Sequence, residues 1–390
     1  MNRPFVSIFL PTLNFGGAEK TLIELANGIQ RHDRRVHLLT MSAGGPLRDS
    51  VAPGVEIVDL ACTTFRKAVP ALSRYYDKVR PELVLTSLYA TGLAAIAARA
   101  MSRYKPAVVV GAHNSLRAKV ARPDNRKDKY FLLPLCLLLI PRADGLVAVS
   151  NGVANELRQM LKLPQDKVRV IYNPVISPQL IAQSGASVEH PWLVDSVARP
   201  FKTLISVGRL VEQKAFDVLL KAFARVRHHE DCRLLLVGDG PLRGELEMLA
   251  ERLGVRAFVD FVGLQENPYK FISRADLFVL SSRWEGLANV LIEALACGCA
   301  VVATNCNYGP NEILQGGRYG PLVQVDDPDA LAAAIVESLG ASLSGPGDKV
   351  ARRARALDFS VETAVAQYVD FFSKVIAGSV SPVSAQGSKR

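Results

Sequence analysis

Short β-rich runs and helical stretches alternate along these 390 residues, and the alternation stops once and then restarts. Residues 5–10 read as a strand. Ala18, Leu22, Leu25, Ala26 and Ile29 then share one helix face, and residues 36–40 read as the next strand. Further strands are expected at 55–60, 83–87, 107–110, 145–149 and 168–172. Between them lie helical stretches such as 90–101 and one that opens behind Ser150, a good N-cap residue. Strands separated by helices pair in parallel and are covered on both faces, so the expected class is α/β. The pattern breaks at Asn173-Pro174 and through the polar stretch 184–200. It resumes with strands at 204–207, 233–237, 258–262, 277–281, 300–303 and 322–325. A chain this long exceeds one ordinary core. The expected organisation is therefore a first sheet domain over 1–178, a linker over 179–200 and a second sheet domain over 201–357. A closing helix over 358–378 and a disordered tail over 379–390 follow. Two such sheets in tandem imply a cleft, with ligands held by loops that leave the carboxyl ends of strands.

Composition narrows the setting. Six scattered cysteines without C-x-x-C spacing read as small buried hydrophobes in a reducing compartment. No apolar run approaches a membrane span, and the N-terminus lacks a signal-peptide pattern, so a cytoplasmic protein is expected. The net charge is +10, yet residues 1–178 hold 25 Lys and Arg against 13 Asp and Glu, so all the excess lies in the first half. Its densest part is Arg117, Lys119, Arg122, Arg126, Lys127 and Lys129, directly before an apolar run that ends at Ile140. The segment from Arg117 to Ile140 fits peripheral contact with an anionic membrane surface. It fits equally a solvated loop followed by a buried core helix. Nucleic acid is the weaker reading, since no aromatic-interleaved basic strand accompanies the charge.

Four loops that follow strands carry the chemistry. Asn14-Phe15-Gly16-Gly17-Ala18-Glu19 puts two glycines at a helix start, which suits either a phosphate or a tight turn. Gly208-Arg209 through Lys214 sets two cations five residues apart, able to clamp a diphosphate or simply to face solvent. Gly238, Gly240 and Gly244 are one residue too long for a dinucleotide fingerprint, which removes the main support for a dehydrogenase. The sharpest segment runs from Ser281 to Gly298. Glu285 lies in a turn, and Glu293 is the only charge in the apolar helix that follows. Burying that carboxylate is costly unless a partner such as a ribose diol hydrogen-bonds it; a structural Arg is the other way to satisfy it. Glu285 could accept sugar hydroxyls, while the N–H groups at Gly286, Leu287, Ala288 and Asn289 would face phosphates.

The spacing Glu285-x7-Glu293, the Gly208-Arg209-Leu210 to Lys214 stretch, Gly238-Asp239-Gly240-Pro241 and Gly16-Gly17-Ala18-Glu19 together resemble the retaining GT-B glycosyltransferases of family 4. The resemblance covers residues 5 to about 327. It implies two Rossmann-like domains facing across a cleft, with the closing helix returning to the first. It further implies that Glu293 holds ribose hydroxyls, Glu285 the transferred sugar, and Arg209 and Lys214 the diphosphate, with Gly17 lending an N–H. His113 matches the family's histidine at the donor sugar; read without the family, a lone post-strand His is more often structural. Tyr308-Gly309-Pro310-Asn311-Glu312 resembles the segment that closes the donor pocket in surface-polysaccharide members. Ala215 and the pair Leu287-Ala288 depart from the family, which has Gly after the Lys and an aromatic followed by Gly or Pro.

The implied reaction moves a hexose or N-acetylhexosamine from a nucleotide diphosphate sugar to a lipid-linked or surface-polysaccharide acceptor. UDP is favoured. No metal or other cofactor is expected, since cations and helix N-termini would stabilise the leaving diphosphate; Asp327-Pro328-Asp329 reads as a helix cap, not a metal motif. The alternatives are a GT-B nucleotide-sugar epimerase and a non-catalytic anion- or nucleic-acid-binding protein.

Overall fold

The computed structural model describes residues 5–14, 16–86, 89–121, 132–193, 200–340 and 346–378. They fall into two compact units, residues 1–174 with 361–390 and residues 175–360. The first unit runs β1 (Val6–Leu10), α1 (Gly17–Gln30), β2 (Val36–Thr40), β3 (Val55–Asp59), α2 (Phe65–Val79), β4 (Leu83–Thr86) and α3 (Tyr89–Met101). It continues with β5 (Ala107–Ala112), α4 (Leu116–Ala121), α5 (Leu133–Leu139), β6 (Gly145–Ala148), α6 (Asn151–Leu161) and β7 (Val168–Val170). The second runs α7 (Pro178–Ser184), β8 (Lys202–Val207), α8 (Phe216–Val226), β9 (Cys232–Val237), α9 (Arg243–Arg252), β10 (Val259–Gly263) and α10 (Tyr269–Ile272). After these come β11 (Leu277–Leu280), α11 (Asn289–Cys297), β12 (Ala300–Thr304), α12 (Pro310–Leu314), β13 (Leu322–Val323), α13 (Pro328–Gly340) and α14 (Pro346–Leu357). The last helix, α15 (Val361–Ile376), belongs to the first unit.

Both sheets are wholly parallel. Their orders are β3-β2-β1-β4-β5-β6-β7 and β10-β9-β8-β11-β12-β13. This is the expected GT-B architecture, and every strand anticipated from the sequence is present within a residue or two at its ends. The central strands are buried on both faces, as in Val6–Leu10 and Val36–Thr40, which is why they read as continuous apolar runs. In each unit the chain winds outward both ways from its first strand. The turning points lie between β1 and β4 and between β8 and β11, where open α/β sheets bind ligands.

Helix packing follows from residue size. Leu22, Leu25, Ala26 and Ile29 of α1 enter the same core as Val361, Val365, Tyr368 and Phe372 of α15. A side chain on Gly28 would sit 2.5 Å from Val365, so only glycine lets α15 approach α1 this closely. Ser150 caps α6 through its hydroxyl, and Asp327 caps α13 by accepting from the Ala330 N–H at 2.9 Å.

Residues 122–131, which hold most of the expected basic cluster, lie outside the described residues. Those that follow do not form a fully buried core helix. Leu132, Cys136 and Ile140 are buried, whereas Leu135, Leu137 and Leu138 are 43–55 % exposed. Among the described residues no helix is long and apolar enough to cross a membrane. The stretch expected as a linker contains α7, capped by Ser177, and buried His190 bonded to Asp260 at 2.9 Å; residues 194–199 and the tail 379–390 are not described. All six cysteines are buried, and burial pushes the thiols of Cys136, Cys232, Cys299 and Cys306 up to about 12.

Candidate active site

In the second unit the loops after β8 and β11 leave adjacent strands at the turning point and are tied together by hydrogen bonds. The Arg283 N–H donates to the Gln213 carbonyl at 2.8 Å, and the Gln213 amide donates to the Trp284 carbonyl at 2.8 Å. The Ser281 hydroxyl donates to the Lys214 carbonyl at 2.7 Å. The Lys214 ammonium reaches Glu285 Oε1 at 2.6 Å. Glu285 is 6 % exposed and also accepts from the Ser282 hydroxyl at 2.7 Å. A buried carboxylate is tolerable here because an ammonium and two neutral donors share it. Among the described residues its other oxygen receives only the Gln213 amide at 3.3 Å, so it keeps acceptor capacity for a hydroxyl. Arg209, in the same loop as Lys214, is exposed.

Gly286, Leu287 and Ala288 lead from Glu285 into α11, whose first residue is Asn289. Leu287 and Ala288 are buried, so the start of this helix is fixed by packing. Glu293, one turn inside α11, is half-buried and accepts from the Tyr269 hydroxyl at 3.3 Å. The structural Arg that could have satisfied it is absent among the described residues.

The glycine-rich loop after β9 serves as a brace. A side chain on Gly238 would meet the Gly208 carbonyl oxygen at 2.0 Å, and one on Gly240 the Leu210 backbone at 2.5 Å. The Leu210 N–H donates to the Asp239 carbonyl at 3.0 Å, which fixes the loop bearing Arg209. The two departures from the family pattern, Ala215 and Ala288, both have positive φ, +50° and +41°, and each immediately precedes a helix. These conformations suit glycine, so each alanine holds a backbone that a glycine would adopt without strain. Tyr308 and Gly309 also have positive φ, and Gly309 lies against Leu287: an added side chain there would sit 2.9 Å from its Cα.

In the first unit, Gly16 is the N-cap of α1 and Gly17 its first residue. Glu19 folds back so far that a side chain on Gly16 would meet its carboxylate at 2.1 Å, and burial raises the Glu19 pKa. Part of this helix start is therefore occupied by the chain's own acid. His113 follows β5 and is 7 % exposed. Among the described residues neither ring nitrogen makes a hydrogen bond of normal geometry, and Asn173 is a polar group beside the ring. Burial lowers the imidazole pKa to about 4, so it is neutral near pH 7 and can donate or accept one hydrogen bond. Glu156 of α6 anchors the same loop, accepting from Ser115 at 2.6 Å and the Leu116 N–H at 2.7 Å.

Sequence reasoning missed Gln213, Ser282, Arg283 and Glu156. Arg283 was the most findable, as the lone cation in a segment bearing two carboxylates. Glu156 sits in an amphipathic helix and resembles an ordinary solvated face.

Comparison with known proteins agrees with this geometry. Residues 15–176 match the family described as Glycosyltransferase Family 4, and residues 201–340 the family Glycosyl transferases group 1. The chain is 30% identical over 368 residues to the lipopolysaccharide core biosynthesis glycosyltransferase LpsD of Rhizobium meliloti, covering 93% of this chain and 96% of that one. It is 34% identical over 197 residues to an N-acetylgalactosamine-N,N'-diacetylbacillosaminyl-diphospho-undecaprenol 4-alpha-N-acetylgalactosaminyltransferase of Campylobacter jejuni, a match to 50% of this chain and about half (51%) of that protein. The HepE protein of Anabaena, solved in complex with UDP, superposes with a TM-score of 0.74 at 21% identity, over 95% of this chain and 99% of that one. The paired sheets, the order of the motifs and these likenesses agree: the chain belongs to the retaining GT-B glycosyltransferases, group 1, family 4.

Proposed function

We propose that this protein transfers a hexose or N-acetylhexosamine from a UDP-sugar to a lipid-linked or surface-polysaccharide acceptor, retaining the configuration of the donor and requiring no metal. The observation that carries the reading is the bonded pair of loops after β8 and β11, which brings Lys214 onto Glu285 just ahead of α11 and its half-buried Glu293. Glu293 takes the ribose hydroxyls, and the outer oxygen of Glu285 takes a hydroxyl of the sugar. Arg209, Lys214 and the N–H groups entering α11 face the diphosphate. When the anomeric C–O bond to the diphosphate breaks, positive charge grows on the sugar ring and negative charge on the departing phosphate. Fixed cations and backbone dipoles stabilise that phosphate without reorganising. The acceptor oxygen bonds to the anomeric carbon, and its proton passes to the phosphate oxygen that leaves.

The names of the Campylobacter and Rhizobium relatives support a glycan-building role, and the UDP bound to HepE supports the nucleotide. The exposed Leu135, Leu137 and Leu138 beside the basic run from Arg117 support peripheral attachment to the cytoplasmic membrane face, where a lipid-linked acceptor would be presented. Thermal-shift screening against UDP-, GDP- and ADP-sugars tests the donor, because a true donor stabilises the fold by mass action. Glu285→Ala, provided it folds, should abolish both transfer and donor hydrolysis. Normal turnover in that variant would contradict the assignment, and formation of an epimeric donor in place of free UDP would identify an epimerase.

A further inference from the structure

Arg283 stands two residues before Glu285, and all three nitrogens of its guanidinium are committed. Nε donates to Asp326 Oδ1 at 2.6 Å, Nη1 to the Glu212 carbonyl at 2.9 Å, and Nη2 to Asp217 Oδ2 at 2.9 Å. Its own N–H donates to the Gln213 carbonyl at 2.8 Å. These partners come from three places: the turn after β8, the first turn of α8, and the loop after β13. The side chain is 17 % exposed. Burial alone would lower its pKa, but Asp217 and Asp326 carry it above the ordinary guanidinium value. With two carboxylates on one guanidinium, little charge remains to lend to a diphosphate. What Arg283 does grip is backbone, and that backbone leads directly to Lys214. The turn ends at Ala215 with φ +50°, a conformation that an L-residue holds only when its surroundings impose it.

We propose that Arg283 is a positioning residue: by bracing the Glu212–Lys214 turn against Asp217 and Asp326, it sets the Lys214 ammonium on Glu285 and toward the leaving diphosphate, without touching the donor. This rests on the nucleotide-sugar reading above and adds to it the residue that makes the clamp rigid. Lysine cannot replace it, because a point ammonium does not reproduce a planar fork that spans three partners.

The test is a double-mutant cycle on the full chain: wild type, Arg283→Gln, Lys214→Ala and the double variant. The readouts are calorimetric binding of UDP and release of UDP from UDP-glucose and UDP-N-acetylglucosamine. Arg283→Gln should slow turnover by about ten- to a hundred-fold, as small displacements of a charged group near the reacting atoms do. In the Lys214→Ala background the same change should cost less than about twofold, because its effect passes through Lys214. Losses that multiply independently in the two backgrounds would overturn the proposal, as would full turnover in Arg283→Gln. If Arg283→Gln fails to fold, Arg283→Lys takes its place in the cycle with the same two outcomes. A wild-type protein that neither binds UDP nor releases it from either donor would instead overturn the UDP-sugar reading itself, a result distinct from multiplicative losses in an active enzyme.

Discussion

Glu293 is the single charge of α11, and a phenol at 3.3 Å is a weak partner for a half-buried carboxylate. Among the described residues most of its acceptor capacity is unused, as the proposed ribose contact requires. The apolar setting of this acid, among Leu291, Ile292, Ala294 and Leu295, was readable from the sequence, and an acid there is costly to bury without a group that hydrogen-bonds it. The engagement of Glu285 by Lys214, Ser282 and Gln213 was not readable, because it depends on two loops 71 residues apart meeting at a sheet edge. His113 gives a prediction at the same scale. Its folded pKa, about 4, lies below the ordinary histidine value, so between pH 6.5 and pH 4 the unfolded chain binds the additional proton. Its contribution to stability is fully present above about pH 6.5 and is lost on acidification through that window, by roughly 3 kcal/mol at most. His113→Gln should therefore flatten the fall in melting temperature between pH 6.5 and pH 4. An unchanged slope in that variant would contradict the burial of a neutral imidazole.

At the level of elements, two of the residues with positive φ fall where the chain departs from its family. Ala215 and Ala288 hold positive φ at the starts of α8 and α11, which costs an L-residue about 1–2 kcal/mol relative to glycine, partly offset by glycine's greater unfolded entropy. Ala215→Gly and Ala288→Gly should each raise unfolding free energy by up to about 1 kcal/mol in denaturant titrations; a drop in either would show that side-chain contacts outweigh the strain. Gly238→Ala should act the other way. Its new methyl would lie 2.0 Å from the Gly208 carbonyl, so the Arg209 loop must move, with turnover lost before the fold is. Strand positions and helix caps were legible because apolar periodicity and cap residues are local, whereas the order of the strands in each sheet was not. The character of α5 was not, since an unbroken run of leucines looks alike whether it packs inside or faces out. Leu135 and Leu138 are exposed, whereas Leu132, Cys136 and Ile140, at a spacing of four, are buried. Nor did the sequence distinguish the Gly238-Asp239-Gly240 loop as a brace, because its role emerges only when Gly238 meets Gly208.

For the molecule as a whole, the excess positive charge lies in the first half of the chain, and its densest run is followed closely in sequence by the exposed Leu135, Leu137 and Leu138. Each Lys or Arg at an anionic leaflet contributes about 1 kcal/mol, an attraction that salt screens. The protein should co-sediment with phosphatidylglycerol vesicles at low salt and detach at high salt. Leu135→Ser with Leu138→Ser should weaken the low-salt binding while leaving donor hydrolysis unchanged. Binding that ignores both salt and these leucines would contradict membrane contact through this segment. The central claim is that a ribose diol answers the half-buried carboxylate of α11. It is tested most directly by calorimetric titration of UDP and 2′,3′-dideoxy-UDP into the wild type and Glu293→Ala. Wild type should lose about ten- to a hundred-fold in affinity when the two hydroxyls are removed, the worth of hydrogen bonds to a charged group, whereas Glu293→Ala should bind the two nucleotides alike. Equal affinity of the wild type for both nucleotides, or an undiminished preference for UDP in Glu293→Ala, would contradict it.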